Sequence, residues 1–394
     1  MTSSKKPIAD YVKKRIAIDD LTSSMRLLQL IFERETITQG EGVDALGISV
    51  GTCCLHFKKL EHIGLIHRTK RIQKEKGRSI ITWELDKKHN FYLILIFELP
   101  FLKISIVNFD NEVILKKEEN ISACSNHRTI EKKIHQFIED APKDVHLLEG
   151  NIRQAVVSIP GLIDPKEGIV IHTANCPALN GINFKKIITN KYNIPCHCGS
   201  IGATLHYSET QHLSSDTNIL LLHWNYGIGG VVGEKNHVIS YKDNDSMFTE
   251  MGHIQLFPNG KICHCGKRGC LEAYVGGYAM IEQLNDPKIQ RLEELKDAIK
   301  DKKENPLLVA NEAAYILGKS LIWPIQLMQV DRIIITGYLS TIFPEIKSSF
   351  NRGLEEFFSK EKIRSLNPIS SKNPSLALEQ GAVLSAQHRF FYPD

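Results

Sequence analysis

Residues 21–87 read as three helices followed by a β-hairpin, and from residue 88 onward strands alternate with helices through residue 394. These two observations predict a mixed α/β chain: an N-terminal winged helix-turn-helix, then a domain of two lobes with a cleft between them. A third observation, a compact His/Cys cluster between His253 and Cys270, marks where the chemistry of that cleft should lie. Residues 1–20 are expected to form an arm ahead of the head.

The apolar fraction of 42% is ample for sizeable cores, and the length suits two or three domains. A net charge of only +4 does not announce a nucleic-acid binder. The distribution says more, because Lys58, Lys59, Arg68, Lys70, Arg71, Lys74, Lys76 and Arg78 crowd one short stretch. The N-terminus lacks the apolar segment of a signal peptide, and no uncharged apolar run approaches the ~20 residues of a membrane-spanning helix. The expectation is therefore a cytoplasmic protein with no membrane partner. Of nine cysteines, Cys53, Cys54, Cys124, Cys176, Cys196 and Cys198 are expected to stay reduced.

In the head, Leu21 to Glu35 carries Met25, Leu27, Leu28, Leu30 and Ile31 as a helical stripe. A short helix follows over Gln39 to Leu46, weakened by Gly40 and Gly42 and closed by Gly47. Ser49 is the expected N-cap of a third helix running to His62, with Cys53, Phe57 and Leu60 facing inward. Ile63 to Ile66 ends it, and a basic turn and a β run over Ser79–Leu85 complete the hairpin. In such a layout the third helix enters the major groove and the hairpin tip touches phosphate or the minor groove. Ser49, Thr52, His56 and Lys59 on the helix, with Arg71, Lys74, Lys76 and Arg78 on the wing, are the expected contacts to double-stranded DNA; the alternative is a winged-helix fold used only for protein contacts.

Further along, Tyr92 to Val107 is strand-rich and Val113 to Lys117 continues a hairpin. Ala155–Ile159 is an apolar strand ending in Pro160-Gly161, and Asn218–His223 is another, followed by the glycine-rich Gly227–Gly233. Long helices are expected over 277–303 and 307–328, then a strand over Arg332–Gly337. In the His/Cys stretch, His253, Cys263, Cys265 and Cys270 offer three thiolates and one imidazole, a full tetrahedral shell for a structural Zn²⁺. Gly266 and Gly269 let the backbone fold tightly, and Glu250 and Glu272 flank the loop with carboxylates that could face a polar ligand, the alternative being that they only support the loop. Cys196-His197-Cys198 lacks partner ligands at useful spacing and reads as strand.

Taken together, Glu250-Met251-Gly252-His253, the cysteine cluster with Cys270-Leu271-Glu272, Ser158–Asp164, the Gly227–Gly233 turn and the late Gly381-Ala382 resemble the signature of the ROK family of repressors and sugar kinases. The resemblance implies a two-lobed fold of the actin-like ATPase type with a sugar in the cleft. An N-terminal winged helix joined to such a domain resembles the repressor branch. By the same resemblance Glu250, His253 and Glu272 match sugar contacts and Gly161 a backbone contact. His253 would bind zinc through one ring nitrogen and turn the other to the sugar. The family's Asn-Asp pair falls on Ser200 and Ile201.

A family kinase needs a glycine turn on the first strand, because only backbone without side chains approaches phosphates closely. Here Ile96 to Leu102 stands in its place, and no glycine occurs between Gly77 and Gly150. It also needs an aspartate base, and none lies between Asp164 and Asp216. No catalytic residues and no ATP are therefore expected. The sequence reading is a DNA-binding regulator, in the sense of a repressor, of carbohydrate genes. It would be a homodimer or homotetramer governed by a small sugar or sugar phosphate, with Ser200 among the ligand contacts. The rivals are a kinase with a DNA-binding head, and a regulator governed by a protein partner.

Overall fold

The computed structural model describes residues 22–72, 79–98, 101–121, 126–140, 150–173, 176–211, 213, 217–235, 237–238 and 249–393. The head comprises α1 (Thr22–Arg34), β1 (Thr36–Thr38), α2 (Gln39–Leu46), α3 (Val50–His62), β2 (Ile66–Ile72) and β3 (Ser79–Leu85), with strand order β1-β3-β2. Leu27, Leu28 and Ile31 of α1 are fully buried with Cys53, Phe57 and Leu60 of α3, so the expected apolar stripes form one core. Helix α2 starts at a capping box, in which Thr38 accepts from Glu41 N while the Glu41 carboxylate accepts from Thr38 N. It ends at Gly47 in the left-handed region.

The first lobe contains β4 (Asn90–Glu98), β5 (Phe101–Asn108), β6 (Val113–Asn120), α4 (His127–Asp140), β7 (Asn151–Ile159), β8 (Leu162–Asp164), β9 (Ile169–His172), α5 (Phe184–Tyr192), β10 (Cys196–Ser200) and α6 (Ile201–Glu209). The second contains β11 (Ile219–Trp224), β12 (Ile228–Glu234), β13 (His237–Val238), α7 (Glu272–Val275), α8 (Gly277–Leu284), α9 (Leu292–Lys300), α10 (Glu304–Ser320), α11 (Ile322–Leu327), β14 (Arg332–Thr336), α12 (Phe343–Leu354), α13 (Lys360–Leu366) and β15 (Ile369–Ser370). The closing helix, α14 (Pro374–Phe391), returns to the first lobe.

The two lobes repeat one plan. Their main sheets run β6-β5-β4-β7-β10 and β13-β12-β11-β14-β15. In each, the central strand pairs antiparallel with the second and parallel with the fourth. Parallel strands buried on both faces explain the near-continuous apolar runs of β4 and β7. The helix expected over 277–303 is broken in two, because Asn285 turns left-handed (φ 48°) and caps α8. The one expected over 307–328 is likewise split into α10 and α11.

No linker separates head from lobe. Residues 86–89 join β3 directly to β4, and Asn90 Nδ2 donates to the carbonyls of Gly64 (2.8 Å) and Asp86 (2.7 Å). Arg153 of β7 donates to the Ile63 carbonyl and to Asn90 Oδ1. Phe391 of α14 stacks on Phe32 of α1 at 4.0 Å between ring centroids, and the Tyr392 hydroxyl donates to Glu33 at 2.9 Å. The head and the first lobe thus share one apolar core.

Candidate functional site

The His/Cys loop is built around close donor atoms. The donor atoms of His253, Cys263, Cys265 and Cys270 all lie within 4.8 Å of one another. Cys265 Sγ is 3.8 Å from Cys270 Sγ, and Cys263 Sγ is 3.6 Å from His253 Nδ1. A tetrahedron with metal–sulfur bonds of ~2.3 Å and metal–nitrogen bonds of ~2.0 Å has edges of roughly these lengths. In the absence of a cation, burial first and the crowded neighbouring thiols second push the Cys270 thiol up to about 12. A dication relieves that crowding by stabilising thiolates. The Tyr278 hydroxyl donates to Cys263 Sγ at 3.6 Å, an outer partner that the sequence did not single out. The residues present fit a structural Zn²⁺.

His253 directs its other nitrogen, Nε2, at Glu250 Oε2, 3.5 Å away. Burial raises the Glu250 carboxyl; the opposite charges of His253 and His172 pull it down and the Glu272 charge adds to the rise. His172, at the end of β9, was not anticipated as a site residue. It arrives there because Leu162 of β8 pairs with it, just after Gly161. Gly161 has φ +94°, and a Cβ there would lie 2.3 Å from the His172 carbonyl oxygen, so no other residue fits without moving the hairpin. The fold therefore brings Gly161 and His172 from one lobe towards Glu250 and His253 from the other.

Glu272 is placed differently from expectation. It is 4% exposed, Oε2 accepts from Ile228 N at 3.1 Å, and Oε1 lies 3.8 Å from Cys263 Sγ. A Cβ on Gly227 would sit 2.3 Å from Oε2, which is why a glycine occupies that turn. The carboxylate braces the metal loop against the glycine-rich turn. Ser200 also needs correction as a ligand contact. It is 1% exposed, and its hydroxyl accepts from Ala203 N as the N-cap of α6, an alternative use that Ser at a strand–helix junction always offers. Ile201 packs against the core shared with the head. In the first lobe, β4 and β5 pair as far as Glu98 and Phe101, the place where the family resemblance puts a phosphate-binding loop.

On the head, Ser49 caps α3 and accepts from Thr52 N at 3.1 Å, with both side chains exposed. Lys59 is partly exposed. His56 is not available to DNA: it is 9% exposed and its Nδ1 lies 2.8 Å from Ser24 Oγ of α1. One residue past Leu55 on a helix turns a side chain by ~100°, enough to move it from the outward face to the inward one. The side chain of Arg71, together with Lys74, Lys76, Arg78 and residues 1–20, lies outside the described residues.

Two lobes of repeated sheet plan, a His/Cys loop on the second and a winged helix at the N-terminus define a two-lobed α/β domain carrying a helix-turn-helix head. The ROK family model matches residues 102–384, and the chain belongs to the ROK family. It is similar to the xylose repressor of Bacillus spizizenii, with 25% identity over 267 residues. That match spans 66% of this chain and 66% of the repressor, about two thirds of its length. Among solved structures, it resembles a ROK family transcriptional regulator described as a homolog of the Escherichia coli MLC protein, with a TM-score of 0.77, 18% identity and coverage of 93% and 97% of the two chains. It also resembles a ROK family glucokinase from Streptomyces griseus in complex with glucose and AMPPNP, with a TM-score of 0.60, 15% identity and coverage of 75% and 98%. Both structural likenesses carry the fold.

Proposed function

We propose that this protein is a DNA-binding transcriptional regulator, acting as a repressor of carbohydrate-metabolism genes, whose ROK domain senses a sugar-like effector without phosphorylating it. One observation supports this above the others: a winged helix packed into the same core as a lobe whose sequence carries no glycine where a sugar kinase would need its phosphate turn. The similarity to a xylose repressor points the same way. Zn²⁺ on His253, Cys263, Cys265 and Cys270 would hold the second-lobe rim of the effector site, and it takes no part in chemistry. Gly161, Glu250 and His253 are the proposed effector contacts, with His172 added. Ser49, Thr52 and Lys59 are retained for DNA, with the wing residues Arg71, Lys74, Lys76 and Arg78. Such a protein works in the cytoplasm as a homodimer or homotetramer matched to paired half-sites.

Effector binding between the lobes would shift α14, which touches both the first-lobe sheet and the head, and so alter the placing of the DNA-reading helices. The test is genomic-fragment selection with the zinc-loaded chain, followed by release of the bound fragment with a panel of sugars and sugar phosphates. Turnover of ATP with any hexose would overturn the non-enzymatic reading. Because Ser200 is committed to its helix cap, a protein effector is the second reading. It is favoured if DNA is bound but no sugar releases it or shifts the melting temperature.

A further inference from the structure

Helix α3 leaves two aliphatic side chains, Val50 and Leu55, exposed. Its inward face, Cys53, His56, Phe57 and Leu60, packs on α1 and on Trp83 of β3, whose ring stacks on Phe57 at 4.8 Å. At ~100° per residue the opposite line runs Gly51, Leu55, Lys58 and His62, flanked by Thr52 and Lys59, while Val50 stands apart from it at the helix start, ~140° round from Leu55. Val50 is 63% and Leu55 52% exposed, large values for aliphatic side chains in a small, well-packed head. The cations Lys58 and Lys59 lie on or beside that line, and the carboxylate near it, Glu61, is held by Arg68 at 2.8 Å. Charge complementarity therefore selects a polyanion as the occupant of this face.

The helix also lacks the amide side chains that read adenine by paired hydrogen bonds. Val50–His62 contains no Arg, Asn or Gln. The amide nearest to it, Gln39, donates to the Val50 carbonyl at 3.3 Å. Ser49 and Thr52 hydroxyls lie 2.9 Å apart and serve the cap. Beside the two lysines, what the exposed surface offers a base edge is the aliphatic carbon of Leu55 and Val50. In the major groove one base presents aliphatic carbon, the 5-methyl of thymine.

Resting on the DNA-binding reading above, we propose that α3 recognises thymine-rich half-sites by packing Leu55 and Val50 on thymine 5-methyl groups. Lys58 and Lys59 hold the flanking phosphates, and the bare backbone at Gly51 lets the helix approach closely. Recognition at the centre of the half-site is thus apolar, and the polar terms are backbone contacts that position the helix without reading sequence.

The test starts by selecting duplexes from a random pool with the full chain, then measuring anisotropy affinities for the enriched duplex and for the same duplex with deoxyuridine replacing thymidine in the half-site core. Each methyl removed should weaken binding about fourfold, the size expected for one buried methyl group. Leu55→Ala should bind the thymine duplex more weakly and lose most of the thymine-over-uracil preference. Lys58→Ala should weaken both duplexes equally. Equal affinity of wild type for thymine and uracil duplexes overturns the proposal, as does a thymine preference that survives in the Leu55→Ala, Val50→Ala double variant. Failure to enrich any duplex would instead overturn the DNA-binding reading on which it rests.

Discussion

The two lobes share one sheet plan but treat the cleft in opposite ways. On the second-lobe rim the glycine turn at Gly227, the buried Glu272, and His253 with its three cysteines form a connected set, each contact reinforcing the next. On the first-lobe rim the corresponding places are filled by ordinary structure: two antiparallel strands paired up to Glu98 and Phe101, a serine that caps α6, and an isoleucine that packs into the core. A pocket needs complementary walls to bind, but it needs positioned acid and phosphate groups on both sides to react. Keeping one wall and rebuilding the other is what a domain kept for sensing would look like.

The sharpest way to break that comparison is to remove the metal. Cys263, Cys270 and Ala273 are the buried apolar residues of the loop's own small core, too few to order it alone. Cys265→Ser is expected to abolish stoichiometric zinc, expose residues 254–270 to proteolysis and reduce DNA binding at least tenfold. Metal content, limited digestion and anisotropy check the three parts. Wild-type DNA affinity in the metal-free variant would mean that the rim and the head are uncoupled.

Next in size is the brace. In Gly227→Ala the new methyl displaces Glu272 Oε2 from Ile228 N, leaving a buried carboxylate short of a donor at a cost of about 1–3 kcal/mol. A denaturation midpoint unchanged from wild type would show that Glu272 does not join the loop to the turn.

The rebuilt wall can be tested by reversing it. Ser200→Asn with Ile201→Asp keeps a competent helix cap, since Asn caps as well as Ser, and returns an acceptor to the cleft. Hexose affinity should rise by a factor corresponding to about 1–3 kcal/mol, while ATP turnover stays absent because the sequence between Gly77 and Gly150 holds no glycine to let backbone approach a phosphate. Calorimetry and a coupled kinase assay separate the outcomes. No gain in affinity would mean the first wall never faced a sugar in this chain.

The sequence made the His/Cys cluster legible because its chemistry is local: four donor side chains in eighteen residues can meet in few ways. The head was legible for the same reason, through caps at Ser49 and Gly47 and stripes on α1 and α3. What escaped was set by tertiary packing. His56 looked outward until Ser24 of α1 claimed its ring. Glu272 looked like a ligand contact until Ile228 N, forty-four residues away, took its oxygen. His172 reaches Glu250 only because β8 and β9 fold back on each other, a pairing with no signature at either residue.

The smallest predicted effect links the two rims electrostatically. His223, on β11 of the second lobe, packs beside Gly337, and Glu98 at the tip of β4 in the first lobe acts on it across the cleft. Burial holds the imidazole down at about 4, and the Glu98 charge offsets part of that fall. The unfolded chain takes up this proton near pH 6.5, whereas the folded chain resists it until about 4. Above pH 6.5 both states are neutral and the stability due to this group is fully present. As the pH falls from 6.5 towards 4 the unfolded state binds the proton first and stability is lost. Discounted for the partial solvent exposure of the ring, the loss between pH 7 and 5 should be about 1 kcal/mol. Unfolding free energies of wild type and His223→Asn measured across that range should diverge by this amount, with the variant less acid-sensitive. Parallel curves would mean that the ring charges freely in the cleft, and that the rebuilt first-lobe edge does not close over the second.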